Sequence, residues 1–274
     1  MTEPAVPEAG TSVCYRHPDR PTGLRCSNCE RPICGSCSVE ATVGQFCPEC
    51  ARDRGGQKVI PTQRPGRLRQ AAPVTFAVIA VTVVAYVLSF VSPDLDDRLF
   101  FTFAQANSRI ARGEWWRIFS PVLQHGSAAH IAFNMFALYQ LGPAVEVRYG
   151  RFNFLALYLA AAGMGGAFAY HFGDERDVLV GASGAIFGFF GLWLDSAYRQ
   201  RDTAFGRSLL SSLWVTLAIN IALPFILPGI SWQGHLGGLA AGILIGEVWA
   251  RLPARRYWFV PVLVTMAAVA AVLL

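Results

Sequence analysis

A serine framed by glycines is the first feature of this chain that could carry out chemistry. It lies in the run Gly181-Ala182-Ser183-Gly184, which opens an apolar segment ending near Tyr198. Polar side chains are costly inside a membrane and often mark function, although serine and glycine also serve close helix packing in lipid. Packing is the more frequent explanation for a single serine, so a partner residue must decide between the two interpretations.

A histidine suited to be that partner follows 52 residues later, where His235 begins an apolar run containing Gly238 and Gly242. Histidine is the side chain best able to take a proton from serine near neutral pH. A serine hydroxyl is a weak nucleophile unless such a base activates it. Ser183 and His235 therefore form a candidate catalytic dyad. The alternative for His235 is a buried histidine with a structural role.

Two further hydrogen-bond donors, His130 and Asn134, begin a third apolar segment. Residues four apart lie on the same face of a helix, so the two side chains are expected to point in one direction. Donors arranged in this way suit the stabilisation of an oxyanion. The three segments together indicate an acyl-transfer site.

The composition indicates that these segments lie in a membrane. Of 274 residues, 53% are hydrophobic and 15% are charged, and the mean hydropathy is +0.38. A soluble globular domain is less apolar than this. The net charge is +5, and the basic residues are not gathered into a patch of the kind that binds nucleic acid, so DNA and RNA are not expected as partners. Residues 1–10 contain Glu3 and Glu8 and no apolar core, which predicts that no cleavable signal peptide is present.

Seven apolar runs from residue 73 onward are each near the length that crosses a bilayer. Every connection on one side of these runs is rich in arginine, whereas residues 174–177 on the other side carry three acidic residues. The positive-inside rule predicts a multi-pass cell-membrane protein with a cytosolic N-terminus and an outer C-terminus. His130, Ser183 and His235 would then share the outer ends of three spans. The runs are 74–92, 128–147, 152–171, 180–198, 208–229, 232–250 and 257–274.

Glycines at a period of four predict how two of these spans pack. They occupy residues 234, 238, 242 and 246 of the sixth run and residues 184 and 188 of the fourth. Small residues on one stripe let helix backbones approach closely in lipid. Of the polar residues elsewhere in the spans, Glu146, Asp195 and Glu247 are expected to reach water or to pair with Arg148, Arg199 or Arg251. Asn220 is expected to bond between helices or to stabilise a bend before Pro224, without a catalytic role.

All seven cysteines fall within residues 11–52, in four pairs of ligands with a spacing of three positions. Seven thiols and one imidazole make eight ligands, the number that two tetrahedral zinc ions require. An odd number of cysteines in a cytosolic segment disfavours disulfides. We therefore expect two structural zinc ions here, followed by a flexible basic linker over 53–72. The eight ligands are Cys14, His17, Cys26, Cys29, Cys34, Cys37, Cys47 and Cys50.

The spacing of this module, with Cys14-x2-His17-Pro18 at its start, resembles a B-box-type zinc finger. In that family the ligand pairs alternate between the two metals. The resemblance implies that Cys14, His17, Cys34 and Cys37 bind one ion, and that Cys26, Cys29, Cys47 and Cys50 bind the other. Sequential pairing is left open by the spacing alone.

Residues 73–274 resemble the rhomboid intramembrane serine proteases. The shared motifs are Trp116-Arg117, His125, His130-x3-Asn134, Glu146-x-Arg148-x-Gly150, Gly181-x-Ser183-Gly184 and His235-x2-Gly238-x3-Gly242. The resemblance implies an all-α six-helix bundle with a seventh C-terminal helix. It also implies Ser183 as nucleophile and His235 as base without a third carboxylate, and an oxyanion hole of His130, Asn134 and the Ser183 amide. One departure is Phe187, where some relatives carry a tyrosine beneath the catalytic histidine.

The resulting functional prediction is an endopeptidase that cleaves transmembrane protein substrates near the outer face of the bilayer, with no cofactor for catalysis. The zinc finger is expected to be accessory and to bind a cytosolic partner. Two alternatives are a non-proteolytic binder of transmembrane helices and a membrane-anchored zinc-finger adaptor. Retention of Ser183, His235, His130 and Asn134 disfavours the first alternative.

Overall fold

The computed structural model describes residues 12–40, 44–53, 71–226 and 230–274. The chain divides into two compact units, residues 1–63 and 64–274, which are described separately. The linker expected at 53–72 lies almost entirely outside the described residues, and residues 1–10, where no signal peptide is expected, lie wholly outside them.

The smaller unit is built from short elements. Strand β1 (Ser12–Cys14) pairs antiparallel with β2 (His17–Thr22), and β3 (Val39–Glu40) pairs with β4 (Gln45–Phe46). A 3-10 turn covers Gly35–Cys37, and helix α1 covers Pro48–Asp53. Among the described residues of this unit, the buried apolar side chains are Ile33 and cysteines. So small a core indicates that bound metal must supply most of the folding free energy.

The larger unit is helical, and its described residues form seven long helices and two shorter ones. Its 3-10 turns cover Trp115–Ile118, Ser120–Leu123 and Ala254–Arg256, and its one two-stranded ribbon among the described residues pairs β5 (Gln105–Ala106) with β6 (Val178–Leu179). The helices are α2 (Pro73–Leu88), α3 (Pro93–Phe103), α4 (Asn107–Ile110), α5 (Ala128–Tyr149), α6 (Arg151–Phe172), α7 (Ser183–Arg199), α8 (Ala204–Ile226), α9 (Trp232–Trp249) and α10 (Phe259–Leu273).

The seven long helices coincide in position with the seven expected spans, and their ends differ by a few residues. Helix α2 ends at Leu88 rather than near 92, because Ser92 caps a new helix that begins at Pro93. Among the described residues, α6 alone is both long and apolar enough to cross a membrane, and α2 and α10 are apolar but shorter. The number of membrane crossings therefore stays a prediction.

Helices α7 and α9 pack backbone against backbone, as the glycine stripe predicted. A Cβ atom at Gly238 would overlap the carbonyl oxygen of Gly184, and one at Gly242 would overlap that of Gly188. Because the paired positions rise together along both helices, α7 and α9 run parallel. Helix α6 joins the same contact, since a Cβ atom at Gly165 would lie 2.7 Å from the Gly234 carbonyl oxygen. Gly165 was not among the glycines expected at this contact.

The segment between α2 and α5 is held from inside by Arg117, whose side chain is buried. Its guanidinium donates to the carbonyl oxygens of Phe101, Thr102 and Ala104 and to the carboxylate of Glu114 at 2.7 Å. A buried guanidinium requires such a complete set of acceptors. This segment is therefore ordered by its own hydrogen bonds.

The expectation for Glu146 was wrong. Its carboxylate is buried and accepts hydrogen bonds from Val74 N at 3.0 Å and from Thr75 N and Thr75 Oγ1 at 2.7 Å. These are free amides at the N-terminus of α2, where a negative charge is favourable. The other two acids pair as expected: Asp195 binds Arg199, and Glu247 binds both Arg199 and Arg251.

Candidate active site and metal clusters

Ser183 is the first residue of α7 and is half-buried. The loop before it is fixed by the segment between α2 and α5. The carbonyl oxygen of Asp177 accepts a hydrogen bond from Asn107 N, and the next two residues of the loop form β6, which pairs with β5. Gly181 N then donates to the Pro121 carbonyl oxygen at 2.9 Å. The Ala182 amide donates to His125 Nε2 at 3.4 Å. The serine is thus placed by backbone contacts, and the amides at the start of α7 have no carbonyl partner within the helix.

His235 lies in the first turn of α9. Ser231 caps the N-terminus of this helix, because its Oγ accepts a hydrogen bond from Gly234 N at 3.0 Å. Its imidazole stacks on the ring of Phe187, with centroids 4.1 Å apart and planes inclined by 9°. Ser183 and Phe187 are four residues apart on one face of α7. The imidazole therefore lies one helical turn from Ser183, on the face that carries the hydroxyl.

No hydrogen bond among the described residues joins Ser183 to His235, and none joins His235 to a carboxylate. The His235 Nδ1 atom is buried without a partner in the part of the chain that the structure describes. Catalytic hydrogen bonds are often long before substrate binds, so the geometry remains compatible with a Ser–His dyad.

His130 lies against the loop that precedes Ser183. A Cβ atom at Gly181 would lie 2.7 Å from both Cε1 and Nε2 of the His130 ring, and Gly181 has φ of +120°. Glycine is needed at this position for both reasons. The ring of His125 also contacts His130, with centroids 5.0 Å apart.

Asn134 is buried one turn further along α5. Its Nδ2 donates to the His130 carbonyl oxygen at 2.9 Å, which fixes the orientation of the amide. A side-chain amide has two N–H groups, so one remains available for a ligand. The structure thus brings Ser183, His235 and His130 together, with Asn134 on the same face as His130.

A cavity of about 180 Å³ lies beside the imidazole. Most of its described lining is apolar, and Asn220 of α8 lines it together with His235. Asn220 was expected to have no catalytic role. The signal that could have found it was a lone amide in an otherwise apolar run. The lining residues are Phe187, Leu217, Asn220, Trp232, His235, Leu236 and Leu239.

The eight metal-ligand candidates form two clusters in the smaller unit. One contains Cys14, His17, Cys34 and Cys37, and the other contains Cys26, Cys29, Cys47 and Cys50; within each, the ligand atoms lie within 4.8 Å of one another. This is the alternating arrangement that the B-box resemblance implied.

The distances within these clusters suit tetrahedral metal coordination. Zinc–sulfur bonds of about 2.3 Å imply sulfur atoms about 3.8 Å apart in a tetrahedral site. The Sγ atoms of Cys29 and Cys47 are 3.8 Å apart, and His17 Nδ1 lies 3.2 to 3.7 Å from the three thiols of its cluster. Both donor sets are closed by protein ligands, as in structural metal sites.

Arg31 supports the all-cysteine cluster from its surface. Its Nε donates to Cys29 Sγ at 3.2 Å, its Nη1 pairs with Glu49 at 2.6 Å, and its guanidinium lies over the Tyr15 ring. The hydrogen bond from Arg31 lowers the pKa of the Cys29 thiol to about 6. A thiolate is the form that binds metal, so Arg31 favours the ligating state.

Comparison with known protein families agrees with this division of the chain. A B-box zinc finger model matches residues 10–41, and a Rhomboid domain model matches residues 112–252, just over half of the chain. The first match includes six of the eight metal ligands and ends before Cys47 and Cys50. The second includes Ser183, His235, His130 and Asn134.

Individual relatives support the larger match. Rhomboid protease GluP of Bacillus subtilis is 42% identical over 139 residues, which cover 51% of this chain and 27% of GluP. The rhomboid-type protein YdcA of the same organism is 35% identical over 55% of this chain and 75% of its own length. Rhomboid-like protease 1 of Toxoplasma gondii is 29% identical over 81% of this chain and 84% of its own length. The chain therefore belongs to the rhomboid family of membrane-embedded serine proteases and carries a B-box zinc finger before its rhomboid domain.

Proposed function

We propose that this chain is an intramembrane serine endopeptidase in which Ser183 is the nucleophile and His235 the general base. The observation that carries this assignment is the stack of His235 on Phe187, which brings the imidazole to the face of α7 that bears the hydroxyl. In the first step His235 Nε2 takes the proton of Ser183 Oγ as the oxygen attacks the scissile carbonyl. His235 then returns the proton to the leaving amine.

The negative charge that develops on the carbonyl oxygen is met by donors on two elements. The free amide of Ser183 comes from the start of α7, and the side chains of His130 and Asn134 come from α5. The contact of His130 with Gly181 and the locked orientation of Asn134 support this role, because preorganised donors stabilise an oxyanion without further rearrangement.

The site is proposed to open near the outer face of the cell membrane, with transmembrane proteins as substrates and the bilayer as its surroundings. The arginine-rich inner connections support this orientation, because they predict a cytosolic N-terminus and an outer C-terminus. A tag at residue 1 should be protected from added protease in intact cells, and a tag after residue 274 should be accessible.

The zinc finger is proposed to hold two structural zinc ions on the cytosolic side, away from the chemistry, where it binds a cytosolic partner. Catalysis by a serine and a histidine needs no metal. Deletion of residues 1–72 should therefore leave proteolysis by the remaining chain largely unchanged, whereas chelation should unfold the finger.

The decisive experiment uses the purified full-length chain with a fluorophosphonate probe and a panel of single-span substrates. Ser183→Ala and His235→Ala should each abolish probe labelling and cleavage, and the double variant should be no worse than either single one. Ser196→Ala, a buried serine on the same helix, is the matched control and should label normally. Cleavage by purified Ser183→Ala protein would sink the mechanism.

A further inference from the structure

His125 is a buried histidine to which the proposed mechanism gives no role. It lies between the 3-10 turn Ser120–Leu123 and the start of α5, and only 7% of its surface is exposed. Buried polar side chains are usually hydrogen-bonded, because an unpaired polar group inside a protein is unfavourable. The group that this imidazole binds therefore indicates what the residue does.

The Nε2 atom of His125 accepts a hydrogen bond from the backbone amide of Ala182 at 3.4 Å, and both residues are buried. Because a backbone N–H can only donate, this contact places the lone pair of the neutral ring on Nε2 and its proton on Nδ1. Ala182 directly precedes Ser183 and caps α7, so its amide has no carbonyl partner within the helix. His125 thus supplies the acceptor for the residue next to the proposed nucleophile.

The segment that carries His125 also binds the preceding residue of the loop. Gly181 N donates to the Pro121 carbonyl oxygen at 2.9 Å, and Gln124 N donates to the same oxygen at 3.0 Å, which closes the segment on itself. Two successive amides before Ser183 are therefore tied to one stretch of five residues. A single contact would let the loop pivot, whereas two contacts fix its direction as well as its position.

His125 also contacts the proposed oxyanion donor. The rings of His125 and His130 are packed edge to face, with centroids 5.0 Å apart and planes inclined by 69°. One side chain therefore contacts both the loop that delivers Ser183 and the histidine that is proposed to bind the oxyanion. The distance between these two groups decides catalysis, because a displacement of about 1 Å can lower a rate about 100-fold.

We propose that His125 is a positioning residue for the reaction: its Nε2 holds the Ala182 amide and so sets the start of α7 against His130. It acts through Ala182 rather than on the substrate. Its loss should therefore slow the chemical step without weakening substrate binding. This inference rests on the proposed roles of Ser183 and His130.

The test separates the acceptor of His125 from its ring. His125→Gln keeps an oxygen that can accept from the Ala182 amide and loses the ring, whereas His125→Phe keeps a ring against His130 and loses the acceptor. The same two substitutions at His171, an exposed histidine hydrogen-bonded to the Ala271 carbonyl oxygen of α10, are the matched controls. For each full-length variant we would measure the phosphonylation rate of Ser183, kcat and KM for one single-span substrate, and the midpoint of thermal unfolding.

His125→Phe should lower kcat and the phosphonylation rate about 10- to 100-fold, because a buried amide without an acceptor is costly and the loop can regain one only by moving. His125→Gln should recover most of both rates. KM should be unchanged in both variants, and His171→Gln and His171→Phe should match the parent in kcat.

Three results would overturn the inference. Parental rates in His125→Phe would show that the bond to Ala182 does not matter for the reaction. Equal losses in the Phe and Gln variants, together with a lower unfolding midpoint, would make His125 a packing residue. A slower reaction in His125→Gln than in His125→Phe would assign the effect to the ring contact instead. Failure of the proposed function would look different, because the parent protein itself would then neither label at Ser183 nor cleave.

Discussion

Replacing Gly181 by alanine is the sharpest perturbation that the site offers, because this residue meets two constraints at once. Its φ of +120° is strained for any residue with a side chain, and its Cβ would lie 2.7 Å from the His130 ring. Ordinary carbon contacts begin at about 3.5 Å, so the ring or the loop must move by about 0.8 Å. Either displacement separates the oxyanion donor from the serine.

The two constraints predict different sizes of effect. Backbone strain at a single position costs about 1–3 kcal/mol in stability. Loss of one oxyanion donor lowers kcat by about 100- to 1000-fold. Gly181→Ala should therefore show a modest fall in the unfolding midpoint and a much larger fall in kcat.

Two glycines in the segment between α2 and α5 serve as controls that distinguish the effect of backbone strain from the effect of a clash with a neighbouring side chain. Gly113 has φ of +98° with nothing within 4 Å of its added Cβ, and at Gly126 the added Cβ would make an ordinary contact of 3.8 Å with Val180. Gly113→Ala should lose stability and keep its kcat, and Gly126→Ala should resemble the parent. Cleavage of a single-span substrate and thermal unfolding would be measured for all three. A kcat for Gly181→Ala equal to that of Gly113→Ala would refute the assignment of His130 to the oxyanion site.

Three further changes have defined outcomes. Asn134→Ala should lower kcat about 100- to 1000-fold on a slowly cleaved substrate; parental kinetics would return Asn134 to a packing role. Glu146→Gln should lower the thermal unfolding midpoint of the larger unit, because amides of α2 would be left poorly paired. The exposed change Glu175→Gln should not lower it, and equal midpoints would contradict the capping role of Glu146. Arg31→Ala should weaken metal binding by the Cys26, Cys29, Cys47 and Cys50 cluster by about 10- to 100-fold in competition with a chromophoric chelator. Arg25→Ala is its control, and equal affinities in the two variants would exclude support from Arg31.

Motif spacing and periodicity were enough to predict the seven long helices and the contact between two of them, but not the short helices α1, α3 and α4. The seven apolar runs predicted seven long helices, and the four-residue glycine period predicted the contact of α7 with α9. Both patterns are local properties of one helix, which is why they can be read without a structure. The ends of α2 and α7 were missed by a few residues because capping by Ser92 and the turn at Gly181 override hydropathy.

The hydrogen bonds of Glu146 and Arg117 and the position of Asn220 beside the cavity depend on residues that are distant in the chain. Glu146 bonds to amides 71 and 72 positions earlier, and Arg117 binds carbonyls that any residue type supplies. Backbone donors and acceptors are the same for nearly all residue types, so a sequence pattern does not show which of them a side chain will bind. Asn220 was visible as a lone amide, but its position in the lining of the cavity beside His235 follows from the packing of α8 on α7.

The contact between α7 and α9 also limits how this protein can be engineered. Gly238 and Gly242 of α9 face carbonyl oxygens of α7, and Gly191 of α7 faces the Leu239 carbonyl oxygen of α9. The fit is therefore reciprocal and involves main-chain atoms rather than exchangeable side chains. A chimera that takes one of these helices from a relative with bulkier residues would displace the other along its whole length. Grafts between family members should therefore transfer the two helices as a matched pair, together with the stretch of α6 around Gly165 that packs into the same seam.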